Sequence, residues 1–159
     1  MQGRQLGAAA AQGPRRFNIV MLRDSPDRFC TAATACASPG PGGTRMSFAL
    51  AGHHAALLFP AHGEPSILPG QGGPVLGVVP RIAAPVHDVL LAPGDIVVLH
   101  TDGLLDAHAP ARQLQQEDVL QAAAGVHDAD ALLDRLLEFA AEGGGEPRDD
   151  IALLAVQAV

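Results

Sequence analysis

Apolar positions first recur at helical spacing over 15–22, where Phe17, Ile19, Val20, Met21 and Leu22 precede the breakers Asp24-Ser25-Pro26-Asp27. The spacing predicts a helix ending near Arg23. Residues 29–37 are small, β-branched or thiol-bearing, and 45–51 alternate Met46, Phe48 and Leu50 against Ser47 and Ala49. The turn-rich stretch Ser38-Pro39-Gly40-Pro41-Gly42-Gly43 between them predicts a hairpin. A third strand is expected over 55–59, then a Gly/Pro-rich loop from 60 to 80. A second hairpin is expected from 85–91 and 95–100, joined at Ala92-Pro93-Gly94. The second of those arms is nearly all apolar and should be a central strand.

Two helices follow in the pattern, over 115–124 and 129–141. Asp128 is placed to cap the latter, which carries Leu132, Leu133, Leu136, Leu137 and Phe139 on its apolar face. Gly143-Gly144-Gly145 stops it, and 150–156 reads as a final strand. The order strands, helices, strand predicts an α/β (α+β) chain without internal repeats.

Composition narrows the function. The 159 residues are 48% hydrophobic but only 3% aromatic, so the core must be aliphatic, and the length fits one domain. All 10 basic residues are Arg, the net charge is -7, and no basic stripe runs along the chain. Nucleic acid is therefore not the expected partner. Cys30 and Cys36 are too few for a disulfide framework or a four-thiolate zinc site and are read as core residues. No stretch reaches membrane-spanning length, so a cytoplasmic location with no membrane partner is the default.

The chemistry concentrates in two acidic segments, Leu99-His100-Thr101-Asp102-Gly103-Leu104-Leu105-Asp106 and Pro147-Arg148-Asp149-Asp150-Ile151-Ala152. Each places carboxylates at the end of a strand. Asp102 beside Gly103, and Asp149 beside Asp150, suit a hard cation that takes oxygen ligands. The competing readings are an ordinary Asp-Gly turn and a solvated pair of strand-start aspartates. His53, His54, His100 and His108 lack metal-site spacing. Arg148 is either a phosphate-steering group or a surface charge.

These two segments resemble those of the type 2C (PPM-type) metal-dependent serine/threonine phosphatases, in the bacterial SpoIIE-like group. Asp27-Arg28-Phe29-Cys30-Thr31-Ala32, Leu50-Ala51-Gly52-His53-His54-Ala55, Gly73-Pro74-Val75-Leu76-Gly77 and Leu91-Ala92-Pro93-Gly94-Asp95 are similar to further segments of that group, in the same order. The resemblance covers roughly residue 15 to the C-terminus. It implies a four-layer αββα phosphatase β-sandwich flanked by helices.

It also implies Mn²⁺ or Mg²⁺ as cofactor, two ions in the family, held by Asp102 and Asp149, with Gly103, Asp106 and Asp150 accessory. The implied reaction is hydrolysis of phosphoserine or phosphothreonine by a metal-activated water. The implied substrate is a phosphoprotein such as an anti-sigma-factor antagonist, in bacterial regulatory signalling. The family's opening Gly-Asp and Asp-Val-Ser-Gly segments have no counterpart in these residues. The expectation is thus a domain lacking its first strands, with an Ala/Gly-rich segment over 1–14 that belongs to the helix following them. A catalytically inactive remnant serving as a binding module is the competing expectation. Loss of strands further predicts self-association through an exposed sheet edge.

Overall fold

The computed structural model describes residues 2–70, 72–144 and 149–159, with the side chains of 2–4 outside that description. The chain divides into two compact units, Met1–Ala55 with Pro69–Leu91, and Ala56–Leu68 with Ala92–Val159. Each unit pairs one antiparallel sheet with its own helical layer.

In the first unit a long helix, α1 (Gln2–Asp24), lies on a sheet ordered β1-β2-β5, formed by β1 (Ala32–Gly40), β2 (Gly43–Ala51) and β5 (Val86–Leu91). The helix starts well before the apolar pattern at 15. Its first half is rich in Ala, the best helix former, and Ala10 is fully buried against Ala49 and Ala84 beside the half-buried Cys36. Pro14 lies inside the helix and has no N–H to give the carbonyl one turn back. That carbonyl, Ala10 O, instead accepts from Thr34 Oγ1 at 2.6 Å. A strand hydroxyl thus satisfies the acceptor that Pro14 leaves free, and α1 passes through the proline.

The predicted first hairpin is present, but its turn is tighter than the six turn-forming residues suggest. Strand pairing continues to Gly40 opposite Gly43, leaving Pro41 and Gly42 as the loop. Proline at the first central position and Gly42 at φ 86° in the second are the residues a type II turn requires.

The second unit holds β3 (Leu57–Phe59), β4 (Ser66–Ile67), β6 (Ile96–His100) and β7 (Leu153–Gln157), ordered β4-β3-β6-β7, with α2 (Gln116–Ala122) and α3 (Ala129–Ala141). β6 is the expected central strand, buried along its whole length between β3 and β7. The predicted hairpin of β5 with β6 does not form. β5 pairs with β2, and β6 pairs with β3 and β7, so 92–95 is a connection between two sheets. Asp95 holds that connection, its carboxylate accepting from Ala92 N at 2.8 Å and Ala61 N at 2.9 Å. β7 begins at Leu153, three residues later than the apolar pattern does, and β4 arises within the stretch expected to be loop.

Asp128 caps α3 as expected, accepting from Ala131 N at 2.9 Å. The core of this unit gathers Leu57, Ile96, Val98, Val119, Leu132 and Leu136. Leu137, expected in the core with its neighbours, is instead 47% exposed. The stripe Leu132, Leu136, Ala140 at intervals of four defines the buried face, and residue 137 is turned about 100° away from 136. Among the described residues no helix is long and apolar enough to cross a membrane.

Candidate metal centre

The site is built where β6 ends. Burial of its five residues fixes the strand, and the chain leaves it through Thr101 into a single 3-10 turn, Asp102–Leu104. Leu104 is fully buried and anchors that turn, while Asp102 stays exposed. Thr101 ties the turn to the chain entering β7. Its Oγ1 donates to Asp150 O at 3.0 Å and accepts from Ala152 N at 2.9 Å, and its own N–H donates to Ala152 O at 3.0 Å.

Gly103 makes the approach possible. A Cβ built there would stand 2.5 Å from Asp150 O, closer than a side chain tolerates, and 3.2 Å from Asp149 O. The glycine therefore serves close packing of two backbones, and the two acidic segments lie against each other although Gly103 and Asp149 are 46 residues apart in sequence. The structure brings Asp102, Asp149 and Asp150 into one neighbourhood.

Asp106 lies one turn beyond Asp102, its N–H donating to Asp102 O at 3.0 Å and its carboxylate accepting from Gln113 Nε2 at 3.0 Å. Asp149 folds its carboxylate back on Asp150 N at 2.8 Å. The described ion pairs of this unit, Arg112 with Asp118 and Arg135 with Glu138 and Glu142, leave these four aspartates out. Carboxylates without an ion pair among the described residues, on two loops whose backbones touch, favour a cation over an anion. Arg148 lies outside the described residues.

His100 is a residue that sequence reading set aside, and the structure gives it a supporting role. It is 2% exposed, with Nδ1 3.0 Å from Thr101 O and Nε2 3.1 Å from Gln116 Nε2. The Gln116 amide nitrogen can only donate, so Nε2 accepts and Nδ1 carries the proton to the Thr101 carbonyl. The ring thereby holds the backbone just before Asp102. Its place at the end of the apolar run was the only sequence signal for this.

The pair of side chains, Asp102 and Asp149, offers only carboxylate oxygen, the ligand type that Mg²⁺ or Mn²⁺ prefers. It does not make a complete two-ion set. Among the described residues no group of three or more His, Cys, Asp or Glu could hold a metal ion. Asp102 and Asp149, the ligands expected from the sequence, stand among the described residues without the further carboxylates that a two-ion centre requires.

Two antiparallel sheets, each with its helical layer, and an aspartate loop at the end of a buried central strand define the class of the type 2C phosphatase fold. The family model for stage II sporulation protein E (SpoIIE) matches residues 4–159, and the chain belongs to that family. Solved structures agree. The structure of the RsbU and RsbW domains of a Mycobacterium tuberculosis protein is 26% identical with a TM-score of 0.70, covering 87% of this chain and 39% of that one. The SpoIIE phosphatase domain from Bacillus subtilis, presoaked with Mn, is 14% identical with a TM-score of 0.59, over 79% of this chain and 56% of that one.

The catalytic domain of the serine/threonine phosphatase PstP, in complex with two manganese ions, is 16% identical with a TM-score of 0.66, over 98% of this chain and 71% of that one. The chain thus spans 39% and 56% of the first two structures it matches. No curated protein matches the chain.

Proposed function

We propose that this chain provides the Asp102 and Asp149 side of a metal-dependent phosphoprotein phosphatase centre of the SpoIIE type. The reading rests on one observation, the packing of Gly103 against Asp149 and Asp150 that sets the two acidic loops side by side. A bound Mn²⁺ or Mg²⁺ supplies a water of lowered pKa and neutralises charge on a phosphate monoester. Asp102 and Asp149 are the ligands this chain contributes, and Thr101 and His100 keep the Asp102 turn in place. The substrate class is phosphoserine or phosphothreonine on a regulatory protein such as an anti-sigma-factor antagonist, in bacterial cytoplasmic signalling.

Hydrolysis of p-nitrophenyl phosphate with Mn²⁺ tests the proposal. The expected result is turnover that falls at least about a hundredfold in Asp102→Ala, since metal-supplied activation and charge neutralisation are worth several kcal/mol. Turnover that survives the substitution would place the chemistry elsewhere. The second reading, an inactive module that binds without hydrolysing, draws on the incomplete ligand set among the described residues. Its signature is Mn²⁺ binding by calorimetry that needs Asp102, with no turnover on any phosphate ester.

Strand edges bear on the partners. Among the described residues, β1 and β5 end the first sheet and β4 and β7 the second, with no further named strand beside them. Open edges add strands from other chains, and self-association through one of them is part of this proposal. Sedimentation velocity is expected to show dimers or larger species at micromolar concentration; a monomer throughout would remove this part.

A further inference from the structure

A second polar feature lies in the other unit, away from the acidic loops in sequence and in character. Asn18 is 1% exposed on α1, and both ends of its amide are engaged. Nδ2 donates to Val79 O at 3.0 Å, and Oδ1 accepts from Gly77 N at 2.8 Å. Since a buried amide is costly to leave without partners, this clamp holds the segment around 77–82 beside the second half of α1. Between them runs a groove of about 260 Å³, lined by Arg15, Asn18, Ile19, Pro80, Arg81 and Ile82. Its walls are aliphatic, and it has an arginine on each side.

Those arginines are not spoken for. Among the described residues the ion pairs belong to Arg23, Arg112 and Arg135, and none reaches Arg15 or Arg81. The Arg23 guanidinium is neutralised locally by Asp24, whose carboxyl it holds below the usual carboxylate range. The local balance is unusual for a chain of net charge -7. Asp24, Asp27 and Asp88 are the only acidic residues in 1–55 and 69–91, which carry seven arginines. Ile19, one of the lining residues, leaves 62% of its surface exposed. A concave apolar strip between unpaired guanidinium groups is complementary to one kind of ligand surface.

We infer that the groove between α1 and residues 77–82 docks a partner protein through an acidic segment with an aliphatic anchor. The anchor packs between Ile19 and Ile82, and flanking carboxylates engage Arg15 and Arg81, whose planar guanidinium groups offer paired donors to a carboxylate. An anionic membrane suits the site less well. A bilayer meets a convex basic face, whereas this site is recessed, and the remaining excess of carboxylates repels an anionic surface. The inference does not depend on phosphatase activity, because the groove and the acidic loops belong to different units.

Fluorescence anisotropy with the full chain tests it, using labelled dodecapeptides that share a Glu-Leu-Leu-Glu centre with random flanks. The matched Lys-Leu-Leu-Lys library serves as control. Saturable binding is expected from members of the acidic library alone, weakening as salt rises. The double variant Arg15→Glu/Arg81→Glu is expected to lower affinity by about tenfold or more, while Arg16→Glu, outside the groove lining, changes it by less than about twofold. Arg81→Ala provides a milder check, and thermal melting of each variant shows that the fold is kept. Absence of binding by every acidic peptide, or binding indifferent to the double reversal, overturns the inference. Co-sedimentation with phosphatidylglycerol vesicles without peptide binding also overturns it and assigns the face to a membrane.

Discussion

Gly103→Ala is expected to destabilise the protein by about 3–5 kcal/mol and, on the proposed function, to weaken Mn²⁺ binding by about tenfold. The added methyl would stand 2.5 Å from Asp150 O and 2.9 Å from Asp150 C, and the obstacle is backbone, which cannot rotate aside. One of the two segments must move. Movement stretches the bonds from Thr101 Oγ1 to Asp150 O and from Ala152 N to Thr101 Oγ1, each worth about 1 kcal/mol net. Overpacking at a close-packed contact adds about 1–3 kcal/mol. Urea denaturation reads the stability loss, and titration calorimetry reads the metal affinity. An unfolding curve that superimposes on the parent would show that the two loops do not pack as described.

Leu136→Ala is expected to cost about 2–5 kcal/mol. Leu136 is fully buried in the cluster that includes Leu57, Ile96 and Val98, so its removal leaves a cavity between helix and sheet. Leu137→Ala, one residue on, is the internal comparison. That side chain is 47% exposed, and its truncation should change stability by about 0.5 kcal/mol or less. Equal losses at the two positions would mean that the helix is rotated from the face described.

The contrast between Leu136 and Leu137 also shows how far the pattern along the chain could be followed. Four leucines in two adjacent pairs identify an amphipathic helix, but neighbours 100° apart cannot both point inward. Only the stripe set by Leu132 and Ala140 decides which of each pair is buried. The strand of 95–100 was legible because its apolar run has no polar face, as burial on both sides demands.

Its pairing was not legible. Two strands separated by Ala92-Pro93-Gly94 have the local chemistry of a hairpin. Asp95 and its bonds to Ala92 and Ala61, the latter far along the chain, hold the connection that sends β5 and β6 to different sheets. The extent of α1 was not legible from periodicity, which begins at residue 15, and only the family resemblance put 1–14 in the helix; Thr34, which satisfies the acceptor that Pro14 leaves free, comes from a strand twenty residues later.

For the candidate site, the sequence by itself determined the residue types. Aspartate beside glycine at the end of a buried strand, and a second aspartate pair before another strand, are local facts of composition and periodicity. The class of fold was equally legible, because several such segments occur in the order the SpoIIE family uses. Tertiary structure alone decided which residues meet. The packing of Gly103 on Asp149 and Asp150, the brace of His100 against Gln116, and the groove clamped by Asn18 join residues from 16 to 61 positions apart. Hydrogen bonds and steric contacts of that range leave no periodic trace in sequence, since either partner satisfies its local pattern whether or not the other is near.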